Sequence, residues 1–250
     1  MMKRILYILI LLVPVFVGLV TGLAPGLAGS NEIITHGNRA QKVVALTFDA
    51  DMTPKMLADL KHGRIKTWYD RRITETLEKK SVAATIFVTG LFAQTYPEEV
   101  KSFARNPLYE IENHSWDHAG FEMPCFGLAK AKNKLSEIME TQKILQNLTG
   151  KTPQFFRFPG GCANRSDFEI VKKAGLKVVG WDTVSGDSYL KNPQKIVDQV
   201  LRGATGGSIV VMHFSGGPHA PSTALALPKI IAGLCEKGFA FVTVAELLKP

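Results

Sequence analysis

Two histidines, His114 and His118, follow an alternating apolar run at residues 108–112. If that run is a β-strand, both imidazoles leave the end of a sheet on one face of a helix or turn. Two neutral imidazoles at this spacing can bind one divalent metal, and they leave coordination positions open for a carboxylate and for water. Open positions are typical of a catalytic metal site rather than a closed structural site. Because the same spacing also occurs without a metal, other motifs in the chain are needed to support metal binding by these histidines.

The elements that position these histidines are indicated by the hydrophobic pattern. Apolar runs typical of buried strands occur at residues 42–48, 83–88, 108–112, 155–158, 176–181, 208–212 and 239–242. Segments typical of helices occur at residues 73–80, 130–148, 167–174, 193–202, 223–237 and 244–248. Strands separated by helices predict a parallel sheet covered by helices, that is, an α/β fold. Seven units in this length favour a barrel of about seven strands in a single domain over an open doubly wound sheet.

Polar motifs follow the predicted strands. They are TFDAD at 47–51, NHSWDH at 113–118, RFPGG at 157–161, WDTVSGD at 181–187 and MHFS at 212–215. In α/β barrels the carboxyl ends of the strands converge on one face, where active sites are built. We therefore expect the carboxylates, imidazoles and arginine of these motifs to meet. No glycine-rich phosphate-binding motif follows the first strand, so nothing indicates a nucleotide cofactor.

These five motifs, in this order, resemble the polysaccharide deacetylase family (the NodB-homology domain, carbohydrate esterase family four) over residues 43–248. The resemblance implies a distorted (β/α) barrel and metal-dependent removal of acetyl groups from N-acetylated sugars. Amide hydrolysis needs an activated water, a stabilised oxyanion and a proton for the departing amine. A metal bound by the two histidines supplies the first two requirements. Two imidazoles with a carboxylate suit a divalent metal such as Zn²⁺.

The resemblance also implies roles for individual residues. Asp49 matches the general base, and Arg157 matches the residue that keeps this base ionised and aimed. His213 matches the general acid, and Asp187 matches the carboxylate that holds this histidine.

Two further residues match the substrate-binding positions of the family. The backbone N–H of Gly160 matches a second oxyanion donor. The side chain of Val211 matches the pocket wall for the acetyl methyl group.

The first motif departs from the family pattern at the metal-ligand position. Ala50 stands where the family carries a metal-binding aspartate. We predict that Asp51 replaces that ligand. The alternatives are a metal bound by two histidines and water, or Asp51 as a loop acid or N-cap of a helix that begins near residues 53–54.

The other departures concern the walls of the groove. Ser188 replaces the usual groove-wall tryptophan, and Phe214 and Gly160 replace commoner residues, so we predict a reshaped sugar-binding groove. His219 is predicted to be a solvated loop histidine, and contact with the substrate is the alternative. Asp182 is the second choice after Asp187 and is interpreted as a loop or cap residue.

The N-terminus predicts export. Lys3 and Arg4 precede an apolar run at residues 5–20, and Gly26 and Ala28 fit a small-residue cleavage site. The segment 1–28 is therefore a signal peptide or an N-terminal membrane anchor, 29–41 a linker and 42–250 the deacetylase domain. The domain is expected to be secreted, periplasmic or associated with the cell envelope, with membrane attachment through this segment as one alternative.

Cysteine content and charge limit the partners. An oxidising compartment favours a disulfide between Cys125 and Cys162, which both follow polar motifs, and the alternative is three buried thiols that include Cys235. The formal net charge of +8 comes from dispersed lysines and arginines without interleaved aromatics, so no nucleic-acid partner is predicted.

These observations predict an exported, metal-dependent deacetylase of N-acetylglucosamine-type residues in peptidoglycan or a chitin-like glycan. The acetylated glycan is the predicted partner, and the oligomeric state stays open. The alternatives are an O-acetyl carbohydrate esterase and a non-catalytic glycan-binding domain that lost a metal ligand.

Overall fold

A computed structural model describes residues 33–215 and 218–249 of the chain. Within these ranges nine strands form one sheet in the order β1-β6-β5-β4-β3-β2-β8-β7, and β9 also pairs with β2. The strands are β1 (Ile33–Ile34), β2 (Val43–Ala50), β3 (Ala84–Val88), β4 (Tyr109–Asn113), β5 (Phe155–Phe156), β6 (Lys177–Val179), β7 (Thr183–Val184), β8 (Ser208–His213) and β9 (Ala240–Phe241). All of these strand pairs are parallel. An isolated bridge between His36 and Ser208 joins the segment after β1 to the start of β8, so the sheet curls into a distorted barrel.

The α/β fold and the parallel sheet are confirmed, but the strand count was too low. The seven predicted strands correspond to β2 to β6, β8 and β9, while β1 and β7 were missed. Both missed strands are two residues long, which is too short for a periodicity signal. β1 lies inside the segment 29–41 that the sequence predicts as a linker.

The helices flank the sheet. They are α1 (Pro54–Lys61), α2 (Arg71–Lys79), α3 (Gly90–Thr95), α4 (Pro97–Arg105), α5 (Lys134–Thr149), α6 (Arg165–Lys173), α7 (Pro193–Gly203), α8 (Thr223–Glu236) and α9 (Val244–Leu247), with a short 3-10 turn at Pro159–Gly161. None of the helices in the described ranges has the length and apolar character needed to cross a bilayer. The predicted leader, residues 1–28, lies outside the described residues.

The side chains of β2 alternate between the helices and the interior of the barrel. Leu46, Phe48 and Ala50 pack in the large cluster between the sheet and the helices. Ala45, on the opposite face, belongs to a separate cluster formed by several strands and α9. Because side chains alternate along a strand, Asp49 lies on the Ala45 face, which is the interior of the barrel.

Candidate metal centre

The carboxyl ends of four neighbouring strands align in one row of register partners: Ala50, Val88, Asn113 and Phe156. The residues that follow three of these partners are Asp51, His114 and Arg157. Three of the predicted site residues are therefore brought together by strand register alone.

The Asp51 carboxylate lies at the centre of the site. Its Oδ1 atom is 3.3 Å from His114 Nε2 and 3.4 Å from His118 Nε2. Bond lengths of 2.0–2.1 Å around a tetrahedral ion place two ligand atoms about 3.4 Å apart. Both Asp51 oxygens and His114 Nε2 are buried without a hydrogen-bond partner. Such orphaned atoms are expected where a cation completes the site, so the three residues fit a divalent metal.

The imidazoles are oriented for this role. His114 Nδ1 lies 2.9 Å from the Arg157 carbonyl oxygen, so Nδ1 carries the proton and the Nε2 lone pair faces Asp51. Burial lowers the pKa of His118 to about 4, which keeps this imidazole neutral and available as a ligand. Burial alone would raise the pKa of Asp51, but the surrounding imidazoles hold it well below its ordinary value.

The segment between the two histidines is a tight loop and not the helical face that the sequence allowed. Ser115 and His118 have φ values of 67° and 60°, so this backbone visits the left-handed region twice. Glu137 on α5 accepts hydrogen bonds from the N–H groups of Trp116 and Asp117 at 2.8 and 3.2 Å. The loop is therefore held by a neighbouring helix as well as by local hydrogen bonds from the N–H groups of Ser115 and Ala119 to the side chains of Asn113 and Asp117.

Asp49 and Arg157 form an ion pair inside the barrel. Arg157 Nη1 donates to Asp49 Oδ1 at 2.7 Å, and Nη2 donates to the Gly180 carbonyl at 3.1 Å. The guanidinium also lies 3.9 Å from the ring centroid of Phe87. Asp49 Oδ2, the oxygen that Arg157 does not contact, lies 3.7 Å from His114 Nε2. One carboxylate oxygen of Asp49 is therefore bound by Arg157, while the other faces His114.

His213 and Asp187 form a second pair on the other side of β2. Asp187 Oδ1 lies 2.7 Å from His213 Nδ1, and Asp187 Oδ2 accepts from the His213 N–H at 2.7 Å. Burial would lower the pKa of His213, but Asp187, Asp51 and Asp49 raise it to about 10. Asp187 is thus the partner of His213. Asp182 instead pairs with Arg39 and accepts from Ile209 N–H, which anchors the start of β8.

His219, predicted to be a solvated loop histidine, has a 40% exposed side chain and also contacts the site. Its Nε2 atom lies 3.4 Å from Asp51 Oδ2, and its ring centroid is 5.5 Å from that of His213. No periodicity predicts this contact, because His219 follows the sequence SGGP at 215–218, which has neither a strand pattern nor a helix pattern.

The predicted substrate-binding positions lie beside a disulfide and on β8. Cys125 and Cys162 are joined by a disulfide, as predicted, and the alternative of three buried thiols is wrong. Gly160 packs against this disulfide: a Cβ there would lie 2.8 Å from Cys125 Sγ, and the residue has a φ of 61°. Val211 is buried two residues before His213 on β8, so both side chains share one face of the strand.

The residue pattern and the fold agree with a comparison against known families. The family model for polysaccharide deacetylases matches residues 36–179. The chain belongs to the polysaccharide deacetylase family. The two motifs after residue 179, with Asp187 and His213, lie outside that match but complete the same site.

Two similar proteins come from Bacillus species. A peptidoglycan-N-acetylglucosamine deacetylase of Bacillus cereus is 31% identical over 84% of this chain and 89% of its own length. The peptidoglycan-N-acetylmuramic acid deacetylase PdaC of Bacillus subtilis is 30% identical over 83% of this chain, which spans only 39% of that relative. A solved peptidoglycan N-acetylglucosamine deacetylase superposes with a TM-score of 0.73 at 26% identity, covering 88% of this chain and 94% of that one.

Proposed function

We propose that this polysaccharide deacetylase family member is an exported, metal-dependent enzyme that hydrolyses the acetamide of N-acetylglucosamine-type residues in peptidoglycan. The observation that carries the proposal is the register pairing of Asp49 with His213 on β2 and β8. This pairing holds a carboxylate and an imidazole side by side. Asp49 Oδ2 lies 3.7 Å from His114 Nε2, and His213 Nε2 lies 3.9 Å from Asp51 Oδ2. The proposed base, acid and metal ligands thus lie next to one another.

Asp51, His114 and His118 would hold the metal, and their donor set of two nitrogens and one oxygen suits Zn²⁺. When bound, the ion supplies Lewis acidity, which polarises the acetyl carbonyl and makes water nucleophilic at neutral pH. The backbone N–H of Gly160 would donate to the same developing oxyanion.

Asp49 acts as the general base. Arg157 donates a hydrogen bond to its Oδ1 atom and holds the carboxylate in place, while Oδ2 is free to take the proton of the attacking water. The C–N bond then breaks as His213 donates a proton from Nε2 to the sugar nitrogen, which leaves acetate and a free amine. Asp187 holds His213 Nδ1 and keeps the imidazole charged until that step.

The His213 pair favours amide over ester hydrolysis. An amine is a poor leaving group unless it is protonated, so an amide needs a strong, well-placed acid more than an acetyl ester does. The complete acid and base pairs also favour catalysis over a purely glycan-binding role, since binding requires neither. The predicted leader at residues 1–28 fits export, as does the action of the named relatives on peptidoglycan.

Acetate release tests the proposal. The purified, zinc-loaded protein is expected to release acetate from N-acetylglucosamine oligomers and from peptidoglycan, and little from acetylated xylan. Asp49→Asn is expected to lower kcat by about 10²–10⁴-fold, the range for a lost general base, while the protein keeps its zinc. Asp198→Asn on α7 is the matched control and should retain wild-type turnover. Unchanged kcat in Asp49→Asn would overturn the mechanism, and preferential release from xylan would overturn the substrate class.

Product analysis shows which sugar is deacetylated, N-acetylglucosamine or N-acetylmuramic acid, the two sugars named for the relatives. Mass spectrometry of digested peptidoglycan locates each lost acetyl group. Loss from glucosamine residues is expected, and loss from muramic acid residues alone would replace the proposed substrate.

A further inference from the structure

The Asp51 carboxylate faces a second pair of imidazoles through the oxygen that the candidate metal cluster does not use. Its Oδ2 atom lies 3.4 Å from His219 Nε2 and 3.9 Å from His213 Nε2. His114 and His118 instead face Oδ1. Asp51 forms one group of ligand atoms within 4.8 Å with each histidine pair. The carboxylate therefore lies between two sets of metal-type donors.

The second set has the features of a built site. Asp51 is only 2% exposed, and Oδ2 is buried without a hydrogen-bond partner. His213 is held through Nδ1 by Asp187, the carboxylate–histidine arrangement that aims Nε2 of metal-binding histidines. His219 brings a third donor atom to the mouth of the site, where its side chain is 40% exposed.

We propose that Asp51 Oδ2, His213 Nε2 and His219 Nε2 form a second divalent-cation site, weaker than the first, whose occupation by Zn²⁺ inhibits the enzyme. The binding part stands on the geometry alone, and the inhibition part rests on the proposed function. Coordination uses the Nε2 lone pair of His213, so the proton on this atom passes to solvent. An imidazole bound in this way has no proton to give to the departing amine.

The negative charge of the carboxylates at this site permits a second cation to bind. The described site contains the carboxylates of Asp49, Asp51 and Asp187, and the guanidinium of Arg157 neutralises one of them. A carboxylate that bridges two ions reduces their mutual repulsion. The second site is weaker because the His219 side chain is 40% exposed, whereas those of His114 and His118 are 1% and 11% exposed.

Zinc stoichiometry tests the second site without any substrate. Equilibrium dialysis followed by elemental analysis is expected to give two Zn²⁺ ions per wild-type chain at high free zinc and one at low free zinc. His219→Ala is expected to bind one ion under both conditions. His62→Ala removes an exposed imidazole from the end of α1 and should still bind two. Circular dichroism checks that each variant is folded, and His219→Gln provides a second variant with a side chain of similar length.

Inhibition provides the second measurement. Excess Zn²⁺ is expected to inhibit acetate release by the wild type and by His62→Ala, and the inhibition constant should rise at least tenfold in His219→Ala. A wild-type chain that binds only one ion overturns the second site but leaves the proposed function intact. A single ion whose affinity falls in His219→Ala would instead make His219 a ligand of the first metal, which also overturns the inference. A chain that binds no zinc overturns both proposals.

Discussion

Asp51 Oδ1 lies 3.3 Å from His114 Nε2, and neither atom has a hydrogen-bond partner. The contact follows from side-chain alternation at the end of β2. Ala50 packs among the apolar residues under the helices, so Asp49 and Asp51, on either side of it, face the interior of the barrel. The chain thus compensates for Ala50 with the next residue that faces the site.

Replacing Asp51 with alanine is expected to weaken zinc binding at the tighter site by more than about 100-fold, because mutations of outer-shell partners already cost 10–100-fold. Competition against a chromophoric chelator measures the affinity. Asp198→Ala, which removes a carboxylate from α7, should leave it unchanged. Equal zinc affinity in Asp51→Ala and wild type would mean that the two histidines and water suffice, or that the metal lies elsewhere. The Asp51 N-cap alternative is already excluded, since Thr53 caps α1 through its hydroxyl group.

The sequence predicted the parts of the site that depend on strand register. Motifs at the carboxyl ends of parallel strands lie close together whatever the conformation of the loops. The proximity of Asp49, His114, Arg157 and His213 could therefore be predicted from their positions after the strands. The disulfide was also predicted, because Cys125 and Cys162 each follow a motif that belongs to this edge.

The parts that the sequence missed depend on loop paths. The Nε2 atom of His219 lies 3.4 Å from Asp51 Oδ2, and no local sequence pattern predicts that contact. The sequence allows a helix or a turn from His114 to His118, and the structure has a turn in which Ser115 and His118 adopt positive φ values. That conformation is stabilised by Glu137, a residue about twenty positions away, and sequence spacing carries no information about such a contact.

The ion pair of Arg157 and Asp49 is expected to matter for stability as well as catalysis. Arg157→Met is expected to lower the free energy of unfolding by about 3–5 kcal/mol, because it leaves the Asp49 carboxylate buried without its partner. The double variant Asp49→Asn/Arg157→Met should lose less than the sum of the single losses, since it leaves no unpaired charge. Equilibrium unfolding in urea gives all three values. Additive losses would show that the two groups do not stabilise each other.

The pair of His213 and Asp187 predicts a pH effect with a definite sign. His213 must be protonated to act as the acid, and burial opposes this while Asp187 raises the pKa to about 10. Asp187→Asn removes the charge, so the alkaline limb of the kcat profile is expected to move to lower pH by about 1–3 units. Ser185→Ala removes a neutral hydrogen bond to Asp187 and should move the limb much less. An unshifted alkaline limb in Asp187→Asn would assign that limb to another group.

The same pair predicts how stability depends on pH. The pKa of His213 is higher in the folded chain than the value of about 6.5 for an unfolded histidine. Its contribution is therefore fully present below pH 6.5 and is lost as the pH rises through about 10. The stability difference between wild type and Asp187→Asn, measured by urea unfolding, should shrink across this window. A difference that is constant from pH 6 to pH 10 would contradict the assignment.

The disulfide between Cys125 and Cys162 closes a loop with a sequence separation of 37 residues. Closing a loop of this length is expected to contribute about 3–4 kcal/mol in the chain-entropy model, so the double variant Cys125→Ser/Cys162→Ser should unfold at lower urea. Cys235→Ser, which changes an exposed free thiol, is the matched control.

The double variant also distinguishes an effect of the disulfide on Gly160 from an effect on the metal ligands. Gly160 packs on Cys125 Sγ, so loss of the disulfide is expected to lower kcat by loosening the Gly160 N–H, while the zinc affinity of the buried ligands stays at the wild-type value. A parallel loss of zinc affinity would show that the disulfide supports the whole site. Wild-type urea stability in the double variant would show that the bond does not form in the purified protein.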